Sequence, residues 1–225
     1  ILLSGWRNRI DQHYKAMVPT LERGIIFGAH ELGHLAFQWQ DFYDPNYDED
    51  GVEWDGSGVW DLMAGGSYNG NGARPAHPAG LHKLQHGWVK QRTLVKSGSL
   101  TLRPYTPTYG RVARIRSAAL GSQQYLLLEN RKRSGFDFSL PGEGLLVWRV
   151  DESGQQETPH TPGLFLVQAD GRSDLNDPND WNQGDAGDPF PGSAGKKALL
   201  DVGETSTSFP GRRSGITLHS ITRDA

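Results

Sequence analysis

The stretch that most restricts this chain is Gly28-Ala29-His30-Glu31-Leu32-Gly33-His34-Leu35-Ala36-Phe37. It contains His-Glu-x-x-His, and the spacing has a mechanical meaning. Residues four apart share one face of a helix, so His30 and His34 can offer two imidazole nitrogens to one metal ion. Glu31 projects about 100° further round, near enough to hold a water without ligating the metal. Zinc hydrolases use this arrangement: the ion acidifies water and a carboxylate takes the proton. Apolar residues at Ile25, Ile26, Ala29, Leu32 and Ala36 predict a helix over residues 21–37 with that side buried. Gly33 costs such a helix about 1 kcal/mol, which predicts close backbone packing there.

Two histidines leave a catalytic zinc site one protein ligand short of three. Asp41, seven residues past His34, is the first candidate; Asp44, His77, His82 and His86 are the alternatives. Further on, Trp60-Asp61-Leu62-Met63-Ala64-Gly65-Gly66-Ser67 places a methionine in a predicted tight turn. A methionine turn beneath the metal is a recurring partner of extended His-Glu-x-x-His sites, so Met63 is assigned that part. Tyr68, just after the turn, is a candidate donor to a developing oxyanion.

Two acidic stretches suggest calcium. Residues 41–73 hold eight carboxylates and no lysine or arginine, and Asn46-x-Asp48-x-Asp50-Gly51 has the alternation of a cation loop. The bidentate glutamate of an EF-hand is absent, with Ser57 in its slot. Between Arg172 and Lys196, Asp174, Asp177, Asp180, Asp185 and Asp188 crowd a Gly/Pro-rich loop with no basic partner. Such carboxylates repel one another unless a cation or water intervenes.

Composition excludes several classes. A net charge of −3 without a basic run argues against a general nucleic-acid binder. No apolar stretch approaches the ~18 residues of a membrane span. The absence of cysteine removes disulfides, cysteine-ligated zinc and thiol catalysis together. With 29 glycines and 13 prolines the chain reads as loop-rich and partly β. Strand-type runs are predicted at residues 99–104, 112–116, 124–130, 144–151, 164–169 and 216–221, and a second helix over residues 79–86. The expected fold class is α+β: an active-site helix and irregular methionine-turn segment over residues 1–92, then an antiparallel β-rich region over 93–225.

In their order, these motifs resemble the M6 family of metallopeptidases, the immune inhibitor A type. The resemblance runs through His30-Glu31-Leu32-Gly33-His34, Asp41-Phe42-Tyr43-Asp44 and Trp60-Asp61-Leu62-Met63. It continues in Tyr125-Leu126-Leu127-Leu128-Glu129-Asn130-Arg131, Gly144-Leu145-Leu146-Val147-Trp148 with Asp151, Gln168-Ala169-Asp170-Gly171 and residues 184–192. It implies a secreted, bacterial, metzincin-like zinc endopeptidase with structural calcium, acting on protein or peptide substrates. His30, His34 and Asp41 would then be the zinc ligands and Glu31 the general base. The chain departs from the family pattern at Gln38 and Gln40, where Gly and Pro commonly turn the chain back to the metal, and at Arg149, where histidine is frequent. Only 29 residues precede His30, so the expectation is a C-terminal piece of a catalytic domain whose beginning, with any signal peptide, has been removed. The rival expectation is a calcium-stabilised β-rich binding or adhesion domain with a relic metal site.

Overall fold

The computed structural model describes residues 25–44, 53–106, 109–153 and 163–223. Helix α1 (Ile25–Phe37) carries the histidines, and a six-residue helix α2 (Gly80–Gln85) follows the irregular segment. Five strands then form one sheet in chain order: β1 (Lys90–Leu94), β2 (Arg111–Ile115), β3 (Gln124–Arg131), β4 (Gly144–Asp151) and β5 (Leu164–Leu166). The fold is thus α+β in its coarse class, and among the described residues no helix is long and apolar enough to cross a membrane.

The sheet is mixed rather than antiparallel throughout. Strands β2 to β5 pair antiparallel, but β1 lies parallel to β2, with Lys90 opposite Arg111 and Leu94 opposite Ile115. A parallel neighbour needs a crossover, to which residues 95–106 and 109–110 belong. The strand expected at residues 99–104 therefore does not form. Instead the Leu102 carbonyl accepts a hydrogen bond from the Asn130 side chain, and Leu100 and Leu102 pack on the sheet. The strand expected at residues 216–221 is reduced to a single bridge between Leu199 and Leu218.

Both faces of the central strands are covered, which is why β3 and β4 read as continuous apolar runs. Tyr125 and Leu127 with Leu146, Trp148 and Val150 point to one side, where they meet Trp60, Ala76, Ala79 and Leu81 from the metal-motif segment. Leu126 and Leu128 with Val147 point to the other side, against Val167, Phe190 and Leu199. Each fully buried aliphatic or aromatic side chain contributes roughly 1.5–3 kcal/mol. The expected boundary between residues 92 and 93 falls inside β1, and the first core takes residues from both sides of it.

At the end of β3 the alternation puts two charged residues into that first core. Arg131, 1% exposed, makes a two-pronged bond to Asp137 at 2.8 and 2.6 Å and donates to the Trp60 carbonyl at 2.8 Å. Glu129, 0% exposed, accepts from Gly80 N, Trp148 Nε1 and the Tyr105 hydroxyl. The sheet therefore grips the backbone on either side of the methionine turn with charge-assisted bonds, the stronger kind.

Candidate metal centre

Two backbone carbonyls aim the two imidazoles. His30 Nδ1 lies 2.9 Å from the Leu62 carbonyl oxygen, and His34 Nδ1 lies 2.6 Å from that of Trp39. A carbonyl oxygen can only accept, so each Nδ1 carries a proton, and in the neutral ring each Nε2 presents a lone pair. The two Nε2 atoms are 3.1 Å apart, and each is 3.1 Å from Asp41 Oδ1. That oxygen is buried and takes part in no hydrogen bond. With both imidazoles neutral, three electron-rich atoms converge, an arrangement that repels itself unless a proton or a metal cation lies among them.

The spacing suits zinc. In a tetrahedral site with bonds of about 2.0–2.1 Å, neighbouring donors lie about 3.3–3.4 Å apart, and His30, His34 and Asp41 form a cluster of that size. Without a metal ion, the same convergence favours protonated imidazoles beside an ionised Asp41. Burial lowers the His30 pKa, yet the Asp41 carboxylate and the Leu62 carbonyl more than offset it. Asp41 likewise lifts His34. Burial alone would raise Asp41, but the two imidazoles hold it well below the usual carboxylate range.

How the chain returns from His34 to Asp41 is visible at Gln38. Its φ of 58° is left-handed, the conformation that glycine adopts most readily, and it reverses the chain without one. Trp39 N then bonds the Gly33 carbonyl at 3.2 Å, which brings the Trp39 carbonyl to His34.

Met63 sits directly beneath the helix. A Cβ added to Gly33 would lie 2.6 Å from Met63 Sδ and 2.9 Å from the Trp39 ring, so glycine is what lets the helix settle on the sulfur. Met63 is 0% exposed, and its carbonyl accepts from Phe42 N at 2.9 Å, the residue after Asp41.

The other candidate third ligands lie elsewhere. His82 is held by Asp61 at 3.2 Å, His86 stacks among Phe37, Trp39 and Trp88, and His77 faces Phe136. Asp44 is buried in the wall of the adjoining cleft and is not one of the clustered donors. That cleft, about 350 Å³, is lined by His30, Glu31, Tyr43, Trp54 and Tyr68 among others. Glu31 is half-buried on its wall. Tyr68 is 59% exposed, whereas Tyr43 is partly buried beside His30, their ring centroids 6.5 Å apart, and burial with the nearby Asp41 carboxylate raises its pKa. Tyr43 stands in the Asp41-Phe42-Tyr43-Asp44 motif without an assigned role, because nothing in its spacing sets it apart from a packing aromatic.

A second cluster joins Asp170, Asp185 and Asp188, and against the expectation of no basic partner Arg172 lies 3.8 Å from Asp170 and 3.5 Å from Asp185. Asp185 and Asp188 were expected there and Asp170 was not, although its Gln-Ala-Asp-Gly setting was among the resemblance motifs. Asp174 and Asp177 stay outside the cluster: Asp174 accepts from Asn182, and Asp177 caps its own turn at Asn179. Burial pushes the Asp188 pKa up to about 6, even though Gln168, Trp60 and Asp185 N all donate to it. At Gly187 a Cβ would fall 2.5 Å from Asp170 Oδ2 and 2.9 Å from Asp185 Oδ1, so only glycine leaves the cradle open. Asn46, Asp48 and Asp50 lie outside the described residues.

Compared with known proteins, the chain matches no family model, no curated protein and no solved structure.

Proposed function

We propose that this chain is the metal-binding part of a secreted zinc endopeptidase of the M6 type. The observation that carries the reading is the convergence of His30 Nε2, His34 Nε2 and Asp41 Oδ1 at 3.1 Å from one another, beside a cleft that also holds Glu31. Zinc held there supplies Lewis acidity toward water and toward a scissile carbonyl. Glu31 takes the proton of the attacking water and delivers it to the leaving amine. Tyr43 and Tyr68, which both line the cleft, are the candidate donors to the developing oxyanion. The adjoining cleft would receive a peptide or unfolded protein segment.

The Asp170, Asp185 and Asp188 carboxylates are hard oxygen donors suited to calcium. Calcium there would steady the methionine-turn segment through the 2.7 Å bond from Trp60 Nε1 to Asp188, a stabilising role that disulfides cannot take in a chain without cysteine.

The test is Glu31→Gln assayed on a denatured protein substrate, with bound zinc measured in parallel. Loss of proteolysis with zinc retained is the expected result. Unchanged proteolysis removes Glu31 as the base. A wild-type chain that takes up no zinc favours the non-catalytic binding domain.

A further inference from the structure

We infer that Asp61 is the positioning residue of the metal centre, setting His30 and Asp41 through the turn it holds. The inference rests on the zinc reading above. Asp61 is 0% exposed, and both of its carboxylate oxygens are saturated by donors. Oδ1 accepts from Met63 N at 3.2 Å and Ala79 N at 2.8 Å. Oδ2 accepts from the Ser57 hydroxyl and His82 Nε2, each at 3.2 Å. None of these four donors touches the metal triad, so the carboxylate acts at one remove.

What Asp61 fixes is the peptide between itself and Met63. With Met63 N tied back to its Oδ1, the Leu62 carbonyl has one direction available, and it meets His30 Nδ1 at 2.9 Å. That bond keeps the proton on Nδ1 and the lone pair on Nε2. The next carbonyl, of Met63, takes Phe42 N and so fixes the backbone next to Asp41. Two of the three donors therefore hang from a turn whose geometry one buried carboxylate sets. The third, His34, depends on the Trp39 carbonyl instead. The grip extends to the sheet, since Arg131 holds the Trp60 carbonyl immediately before Asp61 and Glu129 holds Gly80 N immediately after Ala79. An aspartate at this place carries charge that the fold must house without water, a cost with no return in packing alone.

The experiment measures zinc affinity by chelator competition, alongside thermal unfolding of the zinc-free protein, for wild type, Asp61→Asn, Asp61→Ala and Leu128→Ala. Leu128 belongs to the core on the opposite face of the sheet, so its truncation destabilises the fold without touching the turn. Outer-shell partners of metal ligands are typically worth about 10–100-fold in affinity. Asp61→Ala is expected to lose toward the upper end of that range. Asp61→Asn, which keeps an acceptor for the two backbone N–H groups but turns an NH2 toward Ser57 and His82, is expected near the lower end. Leu128→Ala keeps wild-type affinity. Should Asp61→Ala not fold, Asp61→Asn decides alone. Wild-type affinity in a folded Asp61 variant overturns the inference, as does an equal loss in Leu128→Ala. A wild-type chain that binds no zinc sinks the endopeptidase reading instead, which the wild-type arm shows directly.

Discussion

Replacing Gly33 by alanine sets two effects of similar size against each other. In a helix interior, alanine is favoured over glycine by about 0.8–1.0 kcal/mol, so propensity alone predicts stabilisation. The surroundings predict the reverse. The new methyl would stand 2.6 Å from Met63 Sδ, 2.9 Å from Trp39 Cε3 and 3.2 Å from Met63 Cε, against comfortable separations of about 3.5–4.0 Å. Methionine is flexible, but Met63 is 0% and Trp39 6% exposed, and neither has open space to enter. Forcing a methyl into such a contact costs about 1–3 kcal/mol. The net expectation is a loss near 1 kcal/mol, which in a domain of this size lowers the Tm by about 2–4 °C. The zinc-free protein, followed by circular dichroism on heating, gives the answer without interference from metal. Because the carbonyls that orient the imidazoles belong to Trp39 and to Leu62, the residue before Met63, zinc affinity falls as well. A Tm that rises by a similar amount would mean that the helix does not rest on the sulfur, and the packing argument for Gly33 would be wrong.

At Gln38 the sign is opposite. A left-handed conformation costs a non-glycine residue about 1–2 kcal/mol, so Gln38→Gly stabilises by about 0.5–1 kcal/mol after the added chain entropy, readable as a higher urea midpoint. Arg131→Met leaves the buried Asp137 carboxylate without its charge partner and the Trp60 carbonyl without its donor. Breaking a buried pair in this way costs about 3–5 kcal/mol, and an unfolding midpoint unchanged from wild type would contradict the network. Burial, with Lys83 and Arg131 close by, lowers the His77 pKa from 6.5 to about 4. The unfolded chain then takes up this proton first, so stability is present above pH 6.5 and is lost as pH falls toward 4, by up to about 3 kcal/mol. Removing the proton site in His77→Gln flattens that part of the zinc-free stability curve.

What the sequence revealed and what it hid divides along physical lines. The His30–Glu31–His34 spacing and the position of Asp41 could be read because side-chain identity and helical period carry them. The helix's buried side could not. Leu32 is 54% exposed and Ala36 is exposed too, while His30 and Gly33 are buried. The face turned inward is the one that meets Met63 and the metal donors, so apolar periodicity pointed the wrong way. Strands β2 to β5 were legible from their apolar runs. Strand β1, Lys-Gln-Arg-Thr-Leu, was not, because an edge strand that faces solvent needs no apolar alternation and is protected by charge. Its parallel pairing depends on a crossover that leaves no local mark. The carbonyls of Leu62 and Trp39 that hold the imidazoles are backbone groups, invisible in any motif. The Asp61–His82 pair spans 21 residues of chain and closes only in the fold.

X-ray absorption at the zinc edge, on the purified chain and on Asp41→Asn, tests the centre most directly. One tightly held zinc per chain is expected, with two imidazole nitrogens and at least one oxygen at about 2.0–2.1 Å, and weakened binding in the variant. A chain that holds no stoichiometric zinc, or holds it through oxygens alone without the two imidazoles, would contradict the account.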